Sequence, residues 1–169
     1  MRIFLVIFLL LPFQYAFSQS LTLADFDTIV SKQHQQKGLT PDVYRFINGK
    51  IDFASIYGSN ASNGDFRLKG ETFKKRKTKE LLWVEIKEHD ARRKLITCSM
   101  GYTAPALVIS KMKEDLLRNG YKYRKKKKYY IKRKNRREYM TAEVKKHSVY
   151  VSEFDDQPEI LFTGVKQLK

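Results

Sequence analysis

The chain has 169 residues, with 34 Lys and Arg against 18 Asp and Glu, and a formal charge of +16. Its only cysteine, Cys98, leaves no intramolecular disulfide to form and excludes the small disulfide-scaffold class. At this length one domain is expected, and a chain of this size buries roughly 68–70% of its unfolded surface without needing staples.

The N-terminus reads as a sorting signal. Arg2 supplies a positive start, Ile3 to Leu11 is unbroken aliphatic and Phe, and Ala16-Phe17-Ser18 sets small residues before a cleavage point after Ser18. The apolar run is shorter than the roughly 20 residues a membrane-spanning helix needs, and Pro12 interrupts it. The expectation is an exported protein, periplasmic or extracellular. Residues 1–18 form the signal peptide and 19–169 a single domain with a basic hairpin near 121–145.

Thr22-Leu23-Ala24-Asp25 opens a helix, with Thr22 as cap and Asp25 at the positive end of the dipole. Leu23, Phe26, Ile29 and Val30 recur at helical spacing, so the helix runs from about Thr22 to Gln35. Thr40-Pro41 starts a short second helix with Val43, Phe46 and Ile47 inward, and Asn48-Gly49 stops it. Lys50 to Tyr57 reads as a weak strand. Gly58 to Gly64, GSNASNG, reads as an exposed flexible loop containing the glycosylation triplet Asn60-Ala61-Ser62. Asp65 to Thr78 is basic and half-alternating, with six Lys or Arg.

Leu81 to Lys87 is a clear strand with Leu82, Val84 and Ile86 on one face. Lys94 to Met100 returns beside it with Ile96, Cys98 and Met100 inward, so the two form a hairpin. Thr103 is the expected cap of the next helix, with Pro105 in its first turn, Val108, Ile109, Met112 and Leu116 inward, and Gly120 closing it.

Tyr121 to Arg137 then holds eleven Lys or Arg and no acid. Tyr121, Tyr123, Tyr129 and Ile131 share one parity, which implies one long strand with an aromatic inner face and a cationic outer face, whose middle is expected to bulge or project past the core because Lys125 and Lys127 break the inner face. A turn at Lys134-Asn135-Arg136 leads to Glu138–Lys145, with Met140, Ala142 and Val144 inward. Ser148 to Phe154 forms a further strand, and Ile160 to Val165 a last short strand or packed tail.

The fold class expected is α+β, a mostly antiparallel sheet with two main helices packed on one face. A helix followed by strands occurs twice, an order compatible with a duplicated αβββ unit. No catalytic arrangement is specific. Cys98 sits mid-strand on the inward parity and reads as an inert core thiol. His34, His89 and His147 stand at no metal-ligand spacing. No enzyme, cofactor or metal is expected.

Three roles compete for the basic face. Lysine guards exposed strand edges against aggregation. A dense cation cluster also binds polyanions: Lys122, Arg124, Lys125, Lys126, Lys127, Lys128, Lys132, Arg133, Lys134, Arg136 and Arg137 are the candidates. Tyr130 is the aromatic expected to face outward among them. The partner expected is an anionic polymer, an acidic protein or a membrane surface carrying anionic lipid headgroups. The third role is a protein-interaction, inhibitor or scaffold module centred on Trp83, which falls opposite Leu82, Val84 and Ile86.

Overall fold

Helix α1 (Leu23–Gln36) begins where its cap chemistry places it. Thr22 N–H and Oγ1 both donate to the Asp25 carboxylate, at 2.9 and 2.7 Å, and Asp25 N–H returns to Thr22 Oγ1 at 3.3 Å. This reciprocal box satisfies donors that the first turn leaves open. The computed structural model describes residues 21–36, 39–63, 66–75, 78–89, 95–146 and 158–167. The expected signal peptide and the strand at Ser148–Phe154 lie outside the described residues.

Helix α2 (Pro41–Arg45) runs on into a π-helical turn, Phe46–Lys50, past the expected stop at Asn48-Gly49. Val43 and Ile47 are buried beneath it. Strands β1 (Phe53–Asn63), β2 (Phe66–Lys75), β3 (Leu81–His89) and β4 (Leu95–Thr103) follow as an antiparallel meander. Helix α3 (Ala106–Arg118) then leads to β5 (Lys122–Arg124), β6 (Tyr129–Arg133), β7 (Glu138–Lys146) and β8 (Pro158–Gln167). All eight strands join one sheet in the order β1-β2-β3-β4-β8-β7-β6-β5, with antiparallel neighbours throughout. The protein is therefore α+β with a mostly antiparallel sheet. Each helix-led run has four strands among the described residues, one more than the αβββ reading.

Side-chain alternation divides the sheet into two faces. Val84, Met100, Phe162, Ala142 and Tyr130 form one cross-strand row, by their direct pairing. On this side Phe26 of α1 stacks on Phe162 with ring centres 4.2 Å apart and meets Tyr102 edge-on at 5.9 Å. Gly164 lets α1 approach β8: a Cβ there would lie 2.7 Å from Val30 Cγ1. Ile109, Met112 and Leu116 of α3 enter the same core. Gly120, at φ +82°, ends α3, with its N–H donating to Leu117 O and Tyr121 N–H donating to Leu116 O. That pair of bonds is a Schellman cap, and it turns Tyr121 back into the core.

Four expectations are corrected. Gly58–Asn63 is not a loop: each residue pairs with β2, from Gly58 opposite Glu71 to Asn63 opposite Phe66. Main-chain pairing needs no apolar side chain, so the polar sequence conceals the strand. Thr103 does not cap α3. It pairs with Leu81 and Glu159 at the end of β4, fully buried, and Pro105 takes the cap position. The last segment is a strand, one of its two expected readings, but not a short one: β8 runs Pro158–Gln167 in the middle of the sheet between β4 and β7. Tyr121–Ile131 is not one long strand, because a tight turn divides it.

Candidate functional site: the basic hairpin and its face

Strands β5 and β6 are joined by a 3-10 turn, Lys125–Lys127, and by Lys128 at φ +55°. The turn reverses the chain, so Tyr123 pairs with Tyr130, Lys122 with Ile131 and Arg124 with Tyr129. Parity counted straight through from Tyr121 is therefore broken at the turn. Tyr130 does not face outward among lysines. It is half-buried on the helix side, packs on the core, and its ring lies 4.8 Å from that of Tyr123. Burial pushes its hydroxyl pKa up, and neighbouring Tyr123 adds to this. Tyr129 and Ile131 instead belong to the opposite face.

The turn divides the expected cations into three groups. Lys125, Lys126, Lys127 and Lys128 are exposed at the tip. Lys122 and Arg124 are exposed on β5, and Arg133 on β6, with their side chains on the face opposite α1. Arg133 lies 5.9 Å from the centre of the Tyr139 ring. Tyr129 sits beside Arg124, so two half-buried tyrosines alternate with three cations on this part of the sheet. The nearest acid by register is exposed Glu143, the residue after Ala142 in β7.

The remaining four cations lie away from this face. Lys132 is on the helix side, its ammonium 5.6 Å from the Tyr121 ring centre. Lys134 pairs with Glu138 at 3.5 Å. Arg136 and Arg137 are exposed in the β6–β7 turn, where Asn135 Oδ1 accepts from Arg137 N–H at 2.8 Å. Alternation cannot reveal the Lys132–Tyr121 contact, because the two residues come from separate elements.

Trp83 occupies the face opposite α1, as its parity implies, but it is only half-exposed. Its indole N–H donates to the carboxylate of Glu159, a fully buried residue on β8. Gly101 makes room: a Cβ there would fall 1.9 Å from Trp83 Nε1 and 2.1 Å from Glu159 Oε1. Trp83 thus crosses β4 and ties β3 to β8. A lone glycine inside an otherwise clear strand is the sequence signal for such close approach.

Two polar features escaped sequence reasoning. A cleft of about 330 Å³ lies between α1 and β6–β7, lined by Asp27, Val30, Ser31, His34, Lys132, Lys134, Glu138, Tyr139 and Met140. Burial holds the His34 imidazole below its ordinary pKa; Lys166 and Lys134 act the same way, while Glu138 and the Gly164 backbone oppose them. His34 Nε2 is buried with no hydrogen-bond partner. Separately, Lys75 and Glu80 form a buried ion pair at 3.6 Å, and the Tyr102 hydroxyl donates to the same Glu80 carboxylate. Neither residue has a helical or strand partner at a spacing that would announce the pair.

Cys98 is fully buried, and its thiol donates to Gln33 Oε1. Burial, then the charge of Glu85, pushes its pKa far up, so the nucleophilic thiolate is disfavoured. Among the described residues no three His, Cys, Asp or Glu side chains converge to hold a metal ion. No described helix is long and apolar enough to cross a membrane. Comparison of the chain with known families, curated proteins and solved structures returns no match.

Proposed function

We propose that the protein is an exported, non-enzymatic binding protein that holds an anionic partner on the β5–β6 hairpin. The chemistry suits a polyanion such as an acidic polysaccharide, and a lipid headgroup layer or an acidic protein surface presents the same charge. Lys128 carries the reading. A non-glycine residue in the left-handed conformation costs roughly 1–2 kcal/mol, and Gly or Asn is the ordinary solution at such a turn. Here the position is given to a fourth consecutive lysine, at a tip where like charges already repel. A bound polyanion relieves that repulsion.

Lys122, Arg124 and Arg133 extend the cationic surface from the tip onto the sheet. Tyr129 and Tyr139 supply flat apolar area between them, which suits sugar rings as well as charge. Tyr130 has no part in this contact. The partner lies across the end of the sheet and along the tip.

The test is binding of the protein to heparin, as a generic polyanion, at low and high salt. A variant with Lys125, Lys126, Lys127 and Lys128 changed to Ser runs beside it. Tight binding that weakens steeply with salt and is lost in the variant supports the site. Binding that is weak, or unchanged in the variant, reduces the hairpin to an edge guard and moves the search to the sheet face around Trp83.

We also infer that the two halves derive from one duplicated unit, with α1 and α3 on the same side of the sheet. The strand order reads identically from either edge, and Leu39 and Tyr121 are both buried just after the helix that leads each half. Superposition of the two halves tests this; unrelated helix placement would overturn it.

A further inference from the structure

The sheet ends in two edges of opposite character. The β5 edge is three residues long and cationic, and lysines follow it directly. The β1 edge is eleven residues long, FASIYGSNASN, without a single charge. Ser55 to Ser62 are all exposed, including Ile56 at 49% and Tyr57 at 67%. A long neutral edge is a template for another strand, and proteins ordinarily blunt such edges with charge, proline or covering elements. A bulge interrupts the register at Ile56, but Tyr57 to Asn63 pairs regularly with β2, leaving a seven-residue run for pairing on its other side.

We propose that β1 pairs antiparallel with β1 of a second copy of this chain, forming a twofold dimer with one continuous sheet. Charge selects this partner and this edge. Two copies of a +16 chain repel almost everywhere. Across a β1–β1 seam the nearest charged strands are the two β2 strands, three spacings or ~14 Å apart, beyond the ~8 Å screening length at physiological salt. Across a β5–β5 seam Lys122 and Arg124 would meet their counterparts at ~5 Å, which opposes pairing. One permissive edge and one forbidden edge stop the assembly at two copies. A twofold axis near Asn60, the middle of the run, sets Tyr57 beside Asn63 of the second copy and pairs the whole run. Pairing over so short a run makes a weak, concentration-dependent dimer. The two basic hairpins then lie at the far ends of the joined sheet.

Sedimentation velocity over a wide concentration range tests the proposal, on the unaltered protein and on a variant with Ser59→Lys and Ala61→Lys. The expected result is a monomer–dimer equilibrium whose dissociation constant rises ~10-fold or more in the variant, because like charges face each other across the seam. Hydrogen exchange on the unaltered protein gives a readout independent of how the variant folds. Amides between Tyr57 and Asn63 should gain protection as concentration rises, while those of β5 should not. A monomer at every concentration overturns the proposal and leaves the edge to an extended segment of another protein. A dimer formed without added protection in β1 overturns it equally.

Discussion

The two halves of the sheet use charge in opposite places. The half built from β1–β4 buries an ion pair, Lys75–Glu80, with side chains only 1% and 4% exposed, and leaves its edge neutral. In the half built from α3 and β5–β8, Arg118 pairs with Glu114 and Asp115, and Lys134 with Glu138, on the surface, and the edge is loaded with cations. The contrast separates two roles of the same side chains. A buried charge is held because its partner would be stranded without it, whereas an exposed charge costs the fold little and is free to act on a partner.

The largest test breaks the buried pair. Lys75→Met should destabilise the protein by ~3–5 kcal/mol, because it strands the Glu80 carboxylate in the core. Adding Glu80→Leu should restore much of the loss, measured by urea unfolding of both variants. In the other half, Lys134→Ala should cost no more than ~1 kcal/mol in the same assay, since its ammonium is largely exposed. Comparable losses at both pairs would erase the distinction.

The seam between the halves comes next. Gly101→Ala should cost ~1–3 kcal/mol or more, because a methyl group has no room beside Trp83 and Glu159. Gly58→Ala on the neutral edge meets only ordinary contacts, its nearest neighbour lying at 3.5 Å, and should change stability far less. Thermal unfolding of both variants measures the difference.

The pH response distinguishes groups at the two ends of the core. His34 is held below its ordinary pKa by burial, so the unfolded chain binds the proton first as pH falls. Stability from His34 is present above the ordinary histidine range and is lost on acidification through it, and His34→Phe should flatten that loss. Tyr44 behaves in reverse. Burial, the hydrogen bond to Glu71 and the Glu71 charge raise it from 10.0 to about 12. The unfolded chain then releases its proton first, so stability falls as pH rises from about 10 to about 12, and Tyr44→Phe should remove that component. Unfolding midpoints across pH, for each variant and the unaltered protein, decide both claims.

At the hairpin tip no loss of stability is expected. Lys128→Gly should be neutral or stabilise by up to ~1–2 kcal/mol by relieving the left-handed conformation, while weakening heparin binding. A clear loss of stability would mean that the lysine serves the fold and not a partner.

Amphipathic elements were legible from residues alone. Leu82, Val84 and Ile86 face the core as their alternation implies, and so do Ile109, Met112 and Leu116 at helical spacing. The Thr22–Asp25 cap and the Gly120 stop were legible too, since they depend on near neighbours in the chain. The cationic hairpin was visible as composition, but its facing was not. Tyr130 was placed outward because alternation was counted through Lys125–Lys128, and only the turn geometry shows that the count restarts there.

The amino-acid sequence by itself determined the α+β class, the amphipathic helix and strand stripes, the inward facing of Cys98, and the concentration of charge between Lys122 and Arg137. Each of these depends on residue types and spacings within a few positions. Tertiary structure alone decided that GSNASN is an edge strand, that β8 lies at the centre of the sheet, and that Trp83 crosses Gly101 to reach Glu159. It also decided that Lys75 and Glu80 meet in the core and that Tyr129 and Tyr139 carry the cationic face. These outcomes follow from main-chain pairing and side-chain contact between segments distant in the chain, and local periodicity carries no information about either.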